Sequence, residues 1–144
     1  MITNMKHIQT TIKDKGIKPT YQRLKILEYL IETKKHPTVE MIYNNMKRVI
    51  PTISKTTVYN TMNSFVEKGI LNALSVTGTE LRYDANTKPH HHLLCNKCGN
   101  IYDIYTNSFD FFDNKIIDGN KIDEVHVYFK GICKKCLEKG SYKN

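Results

Sequence analysis

Two Cys-x-x-Cys pairs, Cys95 with Cys98 and Cys133 with Cys136, constrain this chain more than any other feature, because they hold every cysteine it has. A structural zinc site wants four soft or borderline ligands in a tetrahedron, and each such turn presents two thiolates to one ion. In a reducing compartment, paired Cys-x-x-Cys units read as a zinc site before they read as disulfides. Residues 99–132 lie between the two pairs, so the metal would clip the C-terminal end of the chain back onto strands that precede it. A redox-active dithiol is the alternative, and two matched pairs argue against it. Four thiolates leave no open coordination position. The expectation is one structural Zn2+ per subunit, contributing folding energy and no catalysis.

Ahead of the cysteines the chain reads helical. His7 to Lys15 is a short polar segment closed by Gly16, a good residue just past a helix end. Thr20 can cap a second helix, Tyr21 to Ile31, whose Leu24, Leu27, Leu30 and Ile31 share one face. Pro37-Thr38 opens a third helix with Val39, Ile42, Tyr43, Met46 and Val49 on its apolar side, ended by Pro51. Ser54 can cap a fourth, which stops before Gly69. Its Val58, Met62, Phe65 and Val66 fall on one face and Thr56, Tyr59, Asn60 and Asn63 on the other. That second face is polar and aromatic with little charge, which suits contacts to base edges. Leu71 to Val76 and Leu81 to Tyr83, joined by Thr77-Gly78-Thr79, read as a hairpin. Three helices, a presented fourth helix and a hairpin are the order of a winged helix-turn-helix. On pattern alone a generic small α+β domain stays open.

Charge and hydropathy narrow the class. The 144 residues carry a net charge of +8 and are 40% hydrophobic, and the pI is near 9.3. That is enough apolar content for a globular fold, and a basic balance favours a polyanionic partner, nucleic acid first. No apolar run approaches the ~20 residues that span a bilayer, and the N-terminus lacks the apolar stretch of a signal peptide. A cytoplasmic location without a membrane partner is the expectation.

Asp84 to Pro89 looks like a hinge, and the character changes after it. His90 to Leu94 and Ile101 to Tyr105 alternate as strands, Phe109, Phe112 and Ile116 mark a helix ending near Gly119, and Val125, Val127 and Phe129 alternate on another strand. A unit this small buries too little surface to stand without a staple or a partner subunit. The whole reads as α+β: a winged helix-turn-helix DNA-binding domain over 1–84, then a small α/β dimerisation and metal-binding domain over 85–144.

A second constellation lies outside the cysteines. On a strand, alternate residues share a face, so His90 and His92 point together and His91 points away. Asp103 stands on the neighbouring strand, Asp84 at the hinge, and His36 just before Pro37. A nitrogen and oxygen donor set without sulfur suits Fe2+, Mn2+ or Zn2+. A surface histidine tract is the other reading of the triplet.

Gly16–Leu27 (GIKPTYQRLKIL), Ile53–Thr61 (ISKTTVYNT) and Pro89–Gly99 (PHHHLLCNKCG), with the second Cys-x-x-Cys, together resemble the ferric uptake regulator family over nearly the whole chain. The resemblance implies a homodimeric repressor whose N-terminal domain binds double-stranded palindromic operator DNA and whose C-terminal domain dimerises. It also implies that His36, Asp84, His90, His92 and Asp103 hold one regulatory Fe2+ or Mn2+ per subunit, bridging the domains. Asp at positions 84 and 103, where iron sensors usually carry Glu at the second, and Asn60 after Thr-Val-Tyr are similar to the peroxide-sensing PerR subfamily. In that subfamily, iron-catalysed oxidation falls on histidines matching His36 and His90. On this reading Arg23 and Lys55 hold phosphates, while Thr56, Thr57, Tyr59, Asn60 and Asn63 lie at the bases. Pro89 stands at one ligand position of an additional site found in some iron sensors, so that site is not expected.

Other readings remain: an iron, manganese or zinc uptake regulator of the same family, a zinc-stapled RNA-binding or protein-interaction module, and a two-His-one-carboxylate iron enzyme. The last would need open coordination positions and a substrate pocket, and the chain shows no cosubstrate-binding motif. The expectation is no organic substrate and no enzyme activity.

Overall fold

The computed structural model of the chain describes residues 4–76, 78–106, 115–123, 125 and 127–140. It divides into two compact units, Met1–Lys88 and Pro89–Asn144, with the break at the far end of the Asp84–Pro89 segment.

In the first unit, polar caps set the helix starts. Asn4 caps α1 (Met5–Asp14), Thr20 caps α2 (Tyr21–Glu32), Thr38 caps α3 (Val39–Val49) and Ser54 caps α4 (Lys55–Glu67). Each cap oxygen accepts from a backbone N–H of the first turn, which otherwise has no partner in the helix. Gly69, after α4, has φ +73°, the left-handed conformation glycine takes without steric penalty. Ile8, Ile12, Ile26, Leu27, Ile42, Val58, Met62 and Phe65 fuse the four helices into one core. Each such side chain contributes about 1.5–3 kcal/mol on full burial.

The hairpin is β1 (Asn72–Leu74) antiparallel to β2 (Arg82–Asp84), with Ala73 opposite Tyr83. Its strands are shorter than the apolar runs predict, because Leu71 belongs to the helical core and Val76 is buried beyond the end of β1. Of the expected turn, Thr77 lies outside the described residues, while Gly78 has φ +74° and its N–H donates to the Ser75 carbonyl at 3.3 Å.

The second unit is built on β3 (His91–Cys95), β4 (Ile101–Ile104) and β7 (Tyr128–Gly131), in the order β4-β3-β7. β3 and β4 are antiparallel; β3 and β7 are parallel, with Cys95 opposite Gly131. A short helix, α5 (Lys134–Glu138), follows. Parallel pairing places the ends of β3 and β7 side by side, so the turn after each strand delivers its cysteines to the same edge.

Two expectations are corrected here. Ile116 is not helical: β5 (Ile116–Ile117) and β6 (Asn120–Lys121) form an antiparallel hairpin. Asp118 and Gly119 both have positive φ, 51° and 77°, the backbone of a two-residue type I′ turn that Asp-Gly favours. Gly119 thus turns a hairpin instead of ending a helix. Phe109 and Phe112, the rest of that expected helix, lie outside the described residues. The last strand begins at Tyr128, so Val125 and Val127 precede it and only Phe129 of the alternating trio is in it. Among the described residues, no helix is long and apolar enough to cross a membrane.

Candidate functional site

The cysteine cluster forms at the shared edge of β3 and β7. Gly99, at φ +74°, closes the first turn, and its N–H donates to the Cys95 carbonyl at 2.9 Å. Cys133 is the N-cap of α5 and Cys136 lies within it. The Sγ atoms of Cys95 and Cys136 are 3.9 Å apart, as are those of Cys98 and Cys133. All four ligand atoms lie within 4.8 Å of one another. Zn–S bonds near 2.3 Å at tetrahedral angles put sulfurs about 3.8 Å apart, so these thiols are spaced as a zinc shell requires.

The hydrogen bonds around the cluster set where its charge sits. Backbone N–H groups of Cys98 and Cys133 hold the Cys95 thiol down at about 6. The Tyr102 hydroxyl, 3.6 Å from Cys98 Sγ, is the main influence lowering Cys133. Cys136 is pushed up to about 12, first by its hydrogen bond to Cys133 and then by burial. The surroundings therefore favour negative charge on Cys95 and Cys133 over Cys136, and filling the shell with a dication drives the proton off Cys136. Tyr102 was not singled out from the sequence. Its signal is the register: Leu93 pairs with Tyr102, which places the ring on the same sheet face as Cys95.

The opposite face of the same two strands carries the second donor set. His92 pairs directly with Asp103, and Asp103 Oδ1 lies 3.5 Å from His92 Nε2 and 3.3 Å from His90 Nε2. The two imidazoles tilt at 60° with centroids 4.6 Å apart, and the Tyr105 ring stacks on His90 at 5.7 Å. His91 points away and meets the edge of Phe129, as strand alternation requires.

In the first unit, β2 delivers Asp84 to His36, with Oδ2 and Nε2 at 3.4 Å and both residues buried. His36 has φ +52°, a left-handed conformation that costs a non-glycine residue about 1–3 kcal/mol and persists only where its surroundings over-determine it. Metal bonds of 2.0–2.2 Å separated by 90–110° put nitrogen and oxygen ligands about 2.8–3.6 Å apart. Each donor set, taken within its own unit, has that spacing and the sulfur-free chemistry of a first-row metal site.

On α4 the periodicity holds. Val58, Thr61, Met62 and Phe65 are buried, Val66 packs half-buried against the core, and Thr56, Tyr59, Asn60 and Asn63 are exposed. Thr57 is half-buried and shares the cap, its hydroxyl 2.8 Å from that of Ser54. Arg23 donates to the Lys18 carbonyl at 2.8 Å. Lys55 is ion-paired with Glu40 of α3, a partner that helix periodicity does not reveal because the contact crosses between helices.

Known proteins resemble this chain in sequence and in fold. The family model described as "Ferric uptake regulator family" matches residues 14–130. The chain is 33% identical to the peroxide-responsive repressor PerR of Staphylococcus epidermidis, over 91% of this chain and 89% of that protein. It is 31% identical to the peroxide operon regulator of Bacillus subtilis, over 96% and 97%. The fold is similar to that of the ferric uptake regulator of Helicobacter pylori, with a TM-score of 0.72 at 21% identity over 94% and 95% of the two chains. With the cysteine staple, the His/Asp donors and the winged-helix order all in place, the chain belongs to the ferric uptake regulator family.

Proposed function

We propose that this chain is a metal-dependent transcriptional repressor that acts as a cytoplasmic homodimer on palindromic operator DNA and senses hydrogen peroxide. The observation that carries the reading is the sulfur-free donor set in which one Asp103 oxygen faces both His90 and His92. Family membership and relatives named for peroxide response support it.

The residues take these roles. Cys95, Cys98, Cys133 and Cys136 hold a structural zinc that maintains the second unit. His36 and Asp84 supply two donors, and His90, His92 and Asp103 supply three. Neither set fills a shell alone, and we propose that they serve one regulatory Fe2+ or Mn2+. Such sharing ties a ligand from the helical unit to ligands from the sheet unit, so metal loading controls DNA affinity. When bound there, ferrous iron would supply the redox chemistry by which hydrogen peroxide, the two-electron oxidant, puts one oxygen atom on an imidazole and leaves the other as water. The chain's part is to hold His36 and His90 as ligands, so that modifying either weakens the shell and releases the operator.

At the DNA, two recognition helices of a dimer enter successive major grooves roughly 34 Å apart. Thr56, Tyr59, Asn60 and Asn63 of α4, with Thr57 at its start, face the bases, and Arg23 and Lys55 serve the phosphates.

The test is selection of bound sequences from random duplex DNA in Mn2+, in Fe2+ and in chelator, followed by peroxide treatment and mass spectrometry. A palindromic consensus that requires metal, with one oxygen gained on His36 or His90 only in the iron form, is expected. Metal-independent binding without a consensus overturns the repressor reading. A metal-dependent consensus without histidine oxidation overturns the peroxide reading and leaves a metal-uptake regulator.

A further inference from the structure

Strand β2 engages the His36–Pro37 segment with all three of its residues. Asp84 faces the His36 imidazole at 3.4 Å. The Tyr83 N–H donates to the Pro37 carbonyl at 3.0 Å. Arg82 Nη1 donates to the His36 carbonyl at 3.4 Å and also reaches Met41 Sδ of α3 at 3.7 Å.

His36 is an unfavourable place for its own backbone. Its φ is +52°, a region that few non-glycine residues occupy, although histidine enters it more often than most. It also precedes a proline, which steers the preceding residue towards an extended φ near −120°. Pro37 offers no N–H to stabilise the turn and is itself fully buried. What holds this conformation must come from outside the segment, and the guanidinium of Arg82 and the N–H of Tyr83 grip two successive carbonyls.

Arg82 is not explained by stability alone. Its Nε is buried and has no hydrogen-bond partner among the described residues, and a buried unsatisfied donor is destabilising. An apolar side chain would fill the position without that penalty. The planar fork reaches the His36 carbonyl and α3 together, which an ammonium point charge does less well.

We propose that Arg82 is a positioning residue for the His36 metal ligand, fixing the His36 carbonyl and so the turn that directs its imidazole towards Asp84. The proposal rests on the preceding reading of His36 as a ligand.

The experiment uses the zinc-loaded full-length protein and the variants Arg82→Ala, Arg82→Gln, Arg82→Lys and, as reference, His36→Ala. Mn2+ affinity is measured by titration. Co2+ absorption in the d–d region reports the ligand set, and thermal unfolding without regulatory metal reports the scaffold. Loss of a group that orients a metal ligand typically weakens binding by about 10-fold or more. Arg82→Ala and Arg82→Gln are expected to weaken Mn2+ by about that factor and to move the Co2+ spectrum towards that of His36→Ala, with zinc content unchanged. Arg82→Lys, which keeps a donor for the His36 carbonyl but not the fork, recovers part of both.

Wild-type affinity and spectrum in Arg82→Ala or Arg82→Gln, alongside weak binding in His36→Ala, overturn the positioning role and leave the ligand reading intact. Wild-type binding in His36→Ala overturns both. If Arg82→Ala does not fold, the Gln and Lys variants decide by the same readouts. Failure of all three to fold makes Arg82 a purely structural residue and ends the proposal.

Discussion

Asp84 Oδ2 lies 3.4 Å from His36 Nε2, both side chains nearly closed to solvent. The relationship joins the hairpin to the loop ahead of α3, since β2 carries the carboxylate and the residue before Pro37 carries the imidazole. Asp84→Asn keeps the size and removes the charge, so it isolates the electrostatic part of ligation. The regulatory metal is expected to bind at least about 10-fold more weakly, with the four-cysteine zinc retained. Elemental analysis after dialysis against graded Mn2+ checks both. Simultaneous loss of zinc would show that the variant damages the fold and that the pair is not a separable metal site.

The zinc staple carries a pH prediction whose sign follows from two thiols shifted in opposite directions. Cys95 is depressed from 9.0 to about 6, so its contribution to stability is present above 9.0 and lost as pH falls through about 6. Cys136 is raised from 9.0 to about 12, so its neutral thiol stabilises the metal-free fold below 9.0, and that contribution is lost as pH climbs towards 12. Zinc uptake by the reduced, metal-free protein near neutral pH must expel the Cys136 proton. Calorimetric titration in buffers of different ionisation enthalpy is expected to show net proton release, and zinc affinity is expected to fall more steeply below about pH 6, where Cys95 of the metal-free protein must also give up a proton to bind. Proton uptake on zinc binding would contradict the assignment.

Much of this was legible because it rests on local rules. The caps at Thr20 and Ser54 follow from side-chain capping chemistry, and the two faces of α4 and the alternation of His90 and His92 follow from periods of 3.6 and 2. The cysteine spacing names a metal directly. The β5–β6 hairpin departs from the expected helix because Ile116 continues an apolar spacing begun by two phenylalanines, while Asp118-Gly119 carries a turn signal that a helix end at Gly119 leaves out. Donors brought together by long-range pairing were harder. Tyr102 reaches the thiols only through the β3–β4 register. Glu40 meets Lys55 only because α3 packs on α4. His36 entered the donor set through family resemblance, since no local period marks a lone histidine before a proline.

The two faces of α4 predict opposite phenotypes. Phe65 is fully buried, and Phe65→Ala is expected to cost about 3–5 kcal/mol by denaturant unfolding. Asn60 is exposed, and Asn60→Ala is expected to change stability by no more than about 0.5 kcal/mol. The same change is expected to weaken binding by about 1–3 kcal/mol and to relax preference at one base position. Binding to a panel of single-base operator variants separates the two. A uniform loss across the panel would place Asn60 at the backbone instead of at a base.

Lys55 and Glu40 supply the last prediction. The pair is exposed, the two side chains having 55% and 54% of their surface open, so its contribution to stability is small, at most about 1 kcal/mol. On the proposed function its larger consequence is at the DNA. There a lysine at the first turn of α4 is placed for a phosphate, and Glu40 offsets its charge. Lys55→Ala is expected to weaken binding evenly across sequences and to lower the slope of log affinity against log salt by about 1 per protomer. Glu40→Gln frees the ammonium and is expected to tighten binding while leaving the unfolding midpoint almost unchanged. Fluorescence anisotropy over a salt series measures affinity and slope together. If Glu40→Gln leaves both at their wild-type values, the ammonium does not face the DNA, and the basic contacts must be sought elsewhere on the first unit.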